Sequence, residues 1–175
     1  MQIILNKFFY SLVLIISFLV LLSFIGKKHT LKKETFIGKV VAITDGDTFK
    51  FLKKDSTLIK VRLANIDCPE KKQPFSKKAK QFVSNTIFNK TVTVHVLKRD
   101  RYQRYIANVI YGDSLNLSYE LVKQGLAWHY KKYSKDTILQ SLEDNAKLNR
   151  VGLWVDENAI APWVWRGNKK KAVKQ

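Results

Sequence analysis

Arg62-Leu63-Ala64-Asn65-Ile66-Asp67-Cys68-Pro69-Glu70 is the stretch from which the chain is best read. It starts as a strand. Val61, Leu63 and the short Ala64 continue a lysine- and arginine-rich alternation, and Pro69 is expected to stop the ladder because it has no N–H to donate. Arg62 offers a planar fork of donors that matches a phosphate. Asp67 is a hard oxygen ligand, and Glu70 falls on a loop where it can reach a water. Two further stretches complete the set. Thr44-Asp45-Gly46-Asp47-Thr48 adds carboxylates at an expected hairpin turn, with Gly46 free to take a positive φ. Asp100-Arg101-Tyr102-Gln103-Arg104 adds a second arginine. Phosphodiester cleavage needs a metal, a positioned water and cations on the phosphate, and these stretches supply candidates for each.

The 175-residue chain carries a formal net charge of +18 and is 46% hydrophobic. That length suits one domain with appendages, and that apolar content is enough for a core. The charge implies a polyanionic partner, either nucleic acid or anionic lipid headgroups. Some of it is uninformative, because Lys169, Lys170, Lys171 and Lys174 form a terminal tail. Cys68 is the sole cysteine, so no internal disulfide can hold the fold together.

Phe8 to Ile25 is uncharged and almost wholly apolar, just long enough to span a bilayer as a helix. Leu22-Ser23-Phe24-Ile25-Gly26 lacks a small-x-small cleavage pattern, which favours an uncleaved anchor over a removed signal peptide. More lysines follow the segment than precede it, which by the positive-inside rule points to a cytoplasmic domain. An apolar segment ahead of one basic domain is, however, the usual layout of an exported protein. A membrane-anchored or secreted product is the favoured reading. The expected organisation is a hydrophobic signal-anchor at 1–25, a basic linker at 26–35, a folded domain at 36–166 and a basic tail at 167–175.

Within the domain, strands are expected over 36–43, 48–52, 57–64, 91–97 and 105–111. Helices are expected over 76–88, with Ala79, Phe82, Val83 and Ile87 on one face; over 116–124, ending at the C′ glycine Gly125; and from a cap at Asp136 or Thr137 to about 149, with Leu139, Leu142 and Ala146 inward. Trp154, Trp163 and Trp165 read as core anchors of a C-terminal wrap. The order is α+β. The short strands with basic and aromatic loops fit a five-stranded OB-type β-barrel with about three helices, preceded by an N-terminal transmembrane or signal helix.

Each functional residue has a plainer reading. Asp and Gly are the commonest turn residues, and Arg62, Arg104 and Glu70 taken singly would be surface charges. Their combination is harder to explain that way. Asp47 and Asp67, with a backbone carbonyl and waters, suit a hard cation, and calcium accepts such irregular oxygen sets more readily than magnesium. The absence of a Cys/His cluster argues against zinc. His95 reads as packed or surface, and His129 as structural or close to substrate. Tyr102, Tyr130 and Tyr133 could either pack or stack on bases.

The four ordered motifs resemble the staphylococcal nuclease-like (thermonuclease) family. They are Val41-Ala42-Ile43-Thr44-Asp45-Gly46-Asp47-Thr48, the Val61–Glu70 stretch, Asp100–Arg104, and Leu121-Val122-Lys123-Gln124-Gly125-Leu126-Ala127-Trp128. The closing Gly152-Leu153-Trp154 and Pro162-Trp163-Val164-Trp165-Arg166 are similar to the ending of many bacterial members. The resemblance covers residues 36 to 166. It implies a barrel with three helices and calcium-dependent (Ca2+) cleavage of DNA and RNA that leaves 3′-phosphate ends. By motif position it makes Asp47, Asp67 and the Cys68 backbone carbonyl the metal ligands. Arg62 and Arg104 would hold the phosphate, and Glu70 would orient or deprotonate water. Arg101, Tyr102, Tyr130 and Tyr133 loosely resemble nucleotide-contacting positions. Cys68 stands where the best-known member has threonine, a swap that a main-chain ligand tolerates. Gln103 stands where glycine is common, which predicts a stiffened or reshaped loop.

The implied product is an endonuclease-like hydrolase acting as a monomer on DNA and/or RNA, in contact with the membrane through its N-terminal segment, with no obligate protein partner. The rival readings are a non-catalytic nucleic-acid-binding OB-fold module tethered to a membrane and a basic membrane-surface protein.

Overall fold

β1 (Thr35–Ile43), β2 (Thr48–Lys53) and β3 (Leu58–Leu63) form an antiparallel meander, and the barrel is built on it. The computed structural model describes residues 34–172, with side chains through residue 168. The expected signal-anchor at 1–25, most of the linker and the end of the tail lie outside the described residues. Among the described residues, no helix is long and apolar enough to cross a membrane.

A two-residue strand, β4 (Ile66–Asp67), precedes helix α1 (Ser76–Ile87). β5 (Thr91–Arg99) and β6 (Tyr105–Tyr111) follow, then the short β7 (Leu115–Asn116) and helix α2 (Leu117–Lys123). β8 (Trp128–His129), helix α3 (Thr137–Leu148), a 3₁₀ turn (Gly152–Val155) and helix α4 (Pro162–Ala172) complete the order. The sheet runs β3-β2-β1-β5-β6-β7, and a parallel β3–β6 pairing closes the first five strands into a barrel. Bulges at Val40/Ala42 and Val96/Lys98 supply the bend that closure needs.

The expected alternation produces the core. Val40, Phe49, Phe51, Val61, Val92, Val94 and Val109 point inward and are buried. α1 covers the barrel with Ala79, Val83 and Ile87, and α2 adds Leu117, Leu121 and Val122. α2 begins where the Asn116 side chain accepts from Ser118 N–H at 2.9 Å. It ends in a Schellman arrangement, in which Gly125 N–H donates to Val122 O and Leu126 N–H to Leu121 O. Gly125 has φ +59, and a Cβ there would lie 2.1 Å from Val151 O, so glycine is required twice over. Asp136 caps α3 through Ile138 and Leu139 N–H at 2.9 and 3.1 Å.

Four expectations need correction. The strand through Arg62 ends at Leu63, well before Pro69. Asn65 takes a left-handed φ of 66°, and the chain re-enters a second sheet at Ile66, where β4 pairs with β8. Gly46 is not among the residues with positive φ; its missing side chain is what matters, because a Cβ would sit 2.8 Å from Ala79 Cβ and 2.9 Å from Cys68 Cβ. Four α-helices form among the described residues, where about three were expected. The additional one, α4, starts with Pro162 at its first position, a helix-start signal, and continues through residues expected to be tail. Trp154 is buried as expected, but Trp163 and Trp165 are only half-buried.

Candidate active site

Barrel register, rather than closeness in sequence, brings the acidic groups together. Thr48 pairs with Arg62 across β2 and β3, and Leu63 N–H donates to Asp47 O at 2.8 Å, so the β1–β2 loop lies against the end of β3. Cys68 N–H donates to Asp47 Oδ2 at 3.2 Å, and Thr48 Oγ1 donates to Asp47 Oδ1 at 2.9 Å. β4 then places Asp67 on the other side of the arginine.

Arg62 ties this corner together. Its Nη2 lies 2.6 Å from Asp67 Oδ1 and 3.3 Å from Asp47 Oδ2, while Nη1 donates to Ile66 O at 3.2 Å and Leu63 O at 3.4 Å. Asp47 is 7% and Asp67 1% exposed, so both carboxylates are nearly desolvated. Negative charge is crowded here. Asp45 is exposed as a residue, yet the partial burial of its carboxyl, with the charge of Asp47 second, pushes it up to about 6. Burial raises Asp67 as well, against the opposing pull of Arg166 and Arg62. Burial works against the charge on Arg62, but Asp47 and Asp67 raise its pKa further. The Cys68 thiol is buried and pushed far up, so it is neutral.

Glu70 and Arg104 face the same cleft as Arg62, Asp47 and Asp67. Glu70 is placed by a reciprocal turn in which its N–H donates to Gln73 Oε1 at 2.9 Å and Gln73 N–H returns to Glu70 O at 2.8 Å. Arg104 is aimed by Asp100, whose Oδ2 accepts from Nε and Nη2, each at 2.7 Å. Asp100 Oδ1 also accepts from the N–H groups of Tyr102 and Arg104, which closes the loop around it. Gln103 is held at φ 60, a conformation that suits glycine, so the loop keeps its shape at the expense of local strain.

The aromatic residues separate into two groups. Tyr102 is exposed and flanked by the guanidinium groups of Arg101 and Arg104, 4.9 and 5.5 Å from its ring centre. Tyr133 is also exposed, with Lys98 at 5.4 Å. Tyr130 has one face covered, since Trp163 stacks on it at 5.0 Å with planes 1° apart. His129 is structural, being buried between Ser134 and Gln140 with its N–H on Glu143. His95 is exposed and bonds Thr35. The cleft encloses about 2080 Å³, beyond the roughly 300–1,000 Å³ of small-molecule pockets, and its rim adds Lys71, Lys72, Lys77, Lys78 and Lys98. A basic trough of that size, with exposed aromatic rings, suits a polymer of phosphates.

One site residue escaped the sequence reading. Arg166, on α4, donates from Nη2 to Asp67 Oδ2 at 2.6 Å and from Nη1 to Glu70 Oε1 at 2.5 Å. The signal was Trp163 and Arg166 three apart on a helix opened by Pro162, which puts both on one face. Among the described residues, no group of three or more His, Cys, Asp or Glu side chains is arranged to hold a metal. A cation between Asp47 and Asp67 would therefore complete its shell with main-chain oxygen, water or substrate, as calcium tolerates.

A family model described as "Staphylococcal nuclease homologue" matches residues 60–156, from β3 to just past the 3₁₀ turn. The chain is 46% identical over 132 residues, 75% of this chain and 74% of the relative, to a Haemophilus influenzae protein named "Uncharacterized endonuclease". It is 37% identical over 132 residues to an Escherichia coli protein of the same name, covering 75% of this chain and 86% of that one. A Shigella flexneri protein named "Micrococcal nuclease" is 39% identical over 148 residues, 78% of this chain and 84% of its own.

Proposed function

Because this chain belongs to the staphylococcal nuclease homologue family and is a nuclease, we propose that it hydrolyses DNA or RNA in a calcium-dependent reaction that leaves 3′-phosphate ends. The observation that carries this reading is the Asp47–Arg62–Asp67 bridge, at 3.3 and 2.6 Å, opening on the cleft that also holds Glu70 and Arg104. The residues fit a hard cation. The donors are carboxylate and carbonyl oxygens, and a cation would offset the burial, with Asp47 charge second to it, that disfavours ionised Asp45 and Asp67. Asp47, Asp67 and the Cys68 carbonyl would hold calcium, which supplies Lewis-acid polarisation and a template for in-line attack.

The chain's own groups do the rest. Glu70, fixed by Gln73, orients the attacking water or takes its proton. Arg62 and Arg104 neutralise charge that grows on the phosphate oxygens, and Asp100 keeps Arg104 aimed. Tyr102 and Tyr133 offer exposed rings, each beside cations, to bases and phosphates. Tyr130 serves as the wall on which Trp163 rests. The apolar segment at 8–25 supports an anchored or exported protein, which we take to act as a monomer. N-terminal sequencing of protein from fractionated cells, together with gel filtration, tests that part.

The decisive assay incubates the purified chain with linear DNA, circular DNA and RNA in EDTA, then in calcium chloride, with end-group analysis of the products. Cleavage should appear only with calcium, and Glu70→Ala should lower it by about 10²–10⁴-fold. Gel shifts without cleavage reject the catalytic reading, and rescue by zinc alone rejects the oxygen-ligand set.

A further inference from the structure

Arg166 already occupies the carboxylates that the proposed metal needs. Asp67 Oδ1 accepts from Arg62 at 2.6 Å and from Arg166 at 3.3 Å, and Oδ2 accepts from Arg166 at 2.6 Å. Both oxygens of Asp67 are thus engaged by guanidinium groups. Glu70 is engaged too, by Arg166 Nη1 at 2.5 Å. Three contacts crowd the two oxygens, so a cation at Asp67 competes with these partners for the carboxylate. Arg62 is on a barrel strand, its side chain 14% exposed and tied to two carbonyls. Arg166 is 37% exposed on a terminal helix, so it is the partner free to leave.

The connection reaches beyond one side chain. Gln73, which positions Glu70, also donates from Nε2 to Ile160 O at 2.5 Å, just ahead of α4. Trp163, one turn before Arg166, stacks on Tyr130 and meets Trp128 edge-on at 5.8 Å. The segment from Ile160 to Arg166 is therefore docked on the cleft wall with its only described arginine in the acidic corner. Arg166 also lies past the span that the family model matches.

We propose that Arg166 is a built-in cation that holds Asp67 and Glu70 in the metal-free chain and is displaced from Asp67 by the divalent ion, so that docking of α4 and metal binding oppose each other. Two guanidinium groups already share Asp67, so a divalent ion seated there adds to their mutual repulsion, and the less buried guanidinium is the one that yields. The exchange keeps the acidic corner neutralised in both states and releases a guanidinium onto the cleft wall when the metal arrives. Coupling between sites is reciprocal, so calcium must weaken the hold on α4 by the same factor that Arg166 weakens calcium.

This inference rests on the calcium reading, and the test separates the two. Calcium chloride is titrated calorimetrically into the full chain, Arg166→Ala, Arg166→Lys and the rim control Lys71→Ala, without nucleic acid. Arg166→Ala should bind calcium about tenfold tighter, within the usual range of coupling. Arg166→Lys should fall between, because lysine lacks the fork that spans Asp67 and Glu70. Lys71→Ala should change affinity less than about threefold, since a rim charge is screened. Thermal melts should show that Arg166→Ala destabilises the chain in EDTA but not in saturating calcium. Unchanged or weaker calcium binding by Arg166→Ala overturns the exchange, and so does a gain matched by Lys71→Ala. If no variant binds calcium, the calcium reading fails and this inference fails with it.

Discussion

Replacing Arg62 with alanine tests whether one guanidinium both assembles the acidic corner and serves catalysis. The substitution leaves Asp47 and Asp67 buried without the group that bridges them, at 7% and 1% exposure. Breaking a buried ion pair from one side costs about 3–5 kcal/mol. Two compensations remain: Asp67 keeps Arg166, and Asp47 keeps Thr48 Oγ1 and Cys68 N–H. The loss should therefore sit near the low end, about 3 kcal/mol, or roughly 6–12 °C in Tm for a chain of this size. In calcium the deficit should narrow only as far as losing the neighbouring positive charge tightens calcium binding by the variant, about 1.4 kcal/mol for each tenfold in Kd. Activity should fall by on the order of 10²–10³, the usual effect of one transition-state donor. The assay is urea unfolding followed by tryptophan fluorescence, in EDTA and in calcium, alongside nuclease rates measured well below Tm. If the EDTA midpoint does not move while activity collapses, the bridge at 2.6 and 3.3 Å is not the tie described above. If stability falls but kcat stays within threefold, Arg62 leaves the mechanism.

Gly46→Ala puts a Cβ 2.8 Å from Ala79 and 2.9 Å from Cys68, so it should destabilise the chain by about 1–3 kcal/mol and weaken calcium binding by moving Asp47; adding Ala79→Gly should restore part of the calcium affinity, read by calorimetry. Gln103→Gly removes a left-handed strain of about 1–2 kcal/mol but gains chain entropy when unfolded, so urea unfolding should show a net gain of about 0.5–1 kcal/mol. Burial pushes the Asp100 carboxyl up, but the N–H groups and guanidinium of Arg104, with Tyr102 N–H, hold it below its ordinary 3.8. Its folded pKa is the lower one, so its contribution is fully present above the ordinary 3.8 and lost as pH falls from there through the depressed value. Asp100→Asn should lower Tm at pH 7 and remove that part of the acid-dependent loss, as read from melts between pH 7 and 2.

Local pattern carried much of the fold. The alternation of Val92, Val94 and Val96 identified β5, and the spacing of Ala79, Val83 and Ile87 identified α1, because periods of two and 3.6 residues are written into any half-buried element. Gly125 and Asp136 marked helix ends because unpaired helix-end groups need specific side chains or a left-handed residue, whereas the capping role of Asn116 emerged only from its bond to Ser118 N–H. α4 was missed although Pro162 announced it, since the tryptophans around it were read for size rather than for spacing. Gly46 was assigned to its site for the wrong reason: a turn glycine and a close-packed glycine look the same in sequence, and only the neighbours Ala79 and Cys68 distinguish them.

What the sequence by itself determined was composition and local order: a basic chain, five strands in sequence, three helices, and the acidic and arginine residues of three motifs. Tertiary structure alone decided how these meet. The parallel β3–β6 pairing closes the barrel, the Thr48–Arg62 register sets Asp47 against Arg62, and the left-handed Asn65 turns Asp67 into a separate sheet. It also brought Arg166 onto Asp67 from 99 residues away. A repeat along the chain reports a face that an element buries. A single ion pair between distant elements has no repeat, and it exists only once the core has packed and fixed the distance.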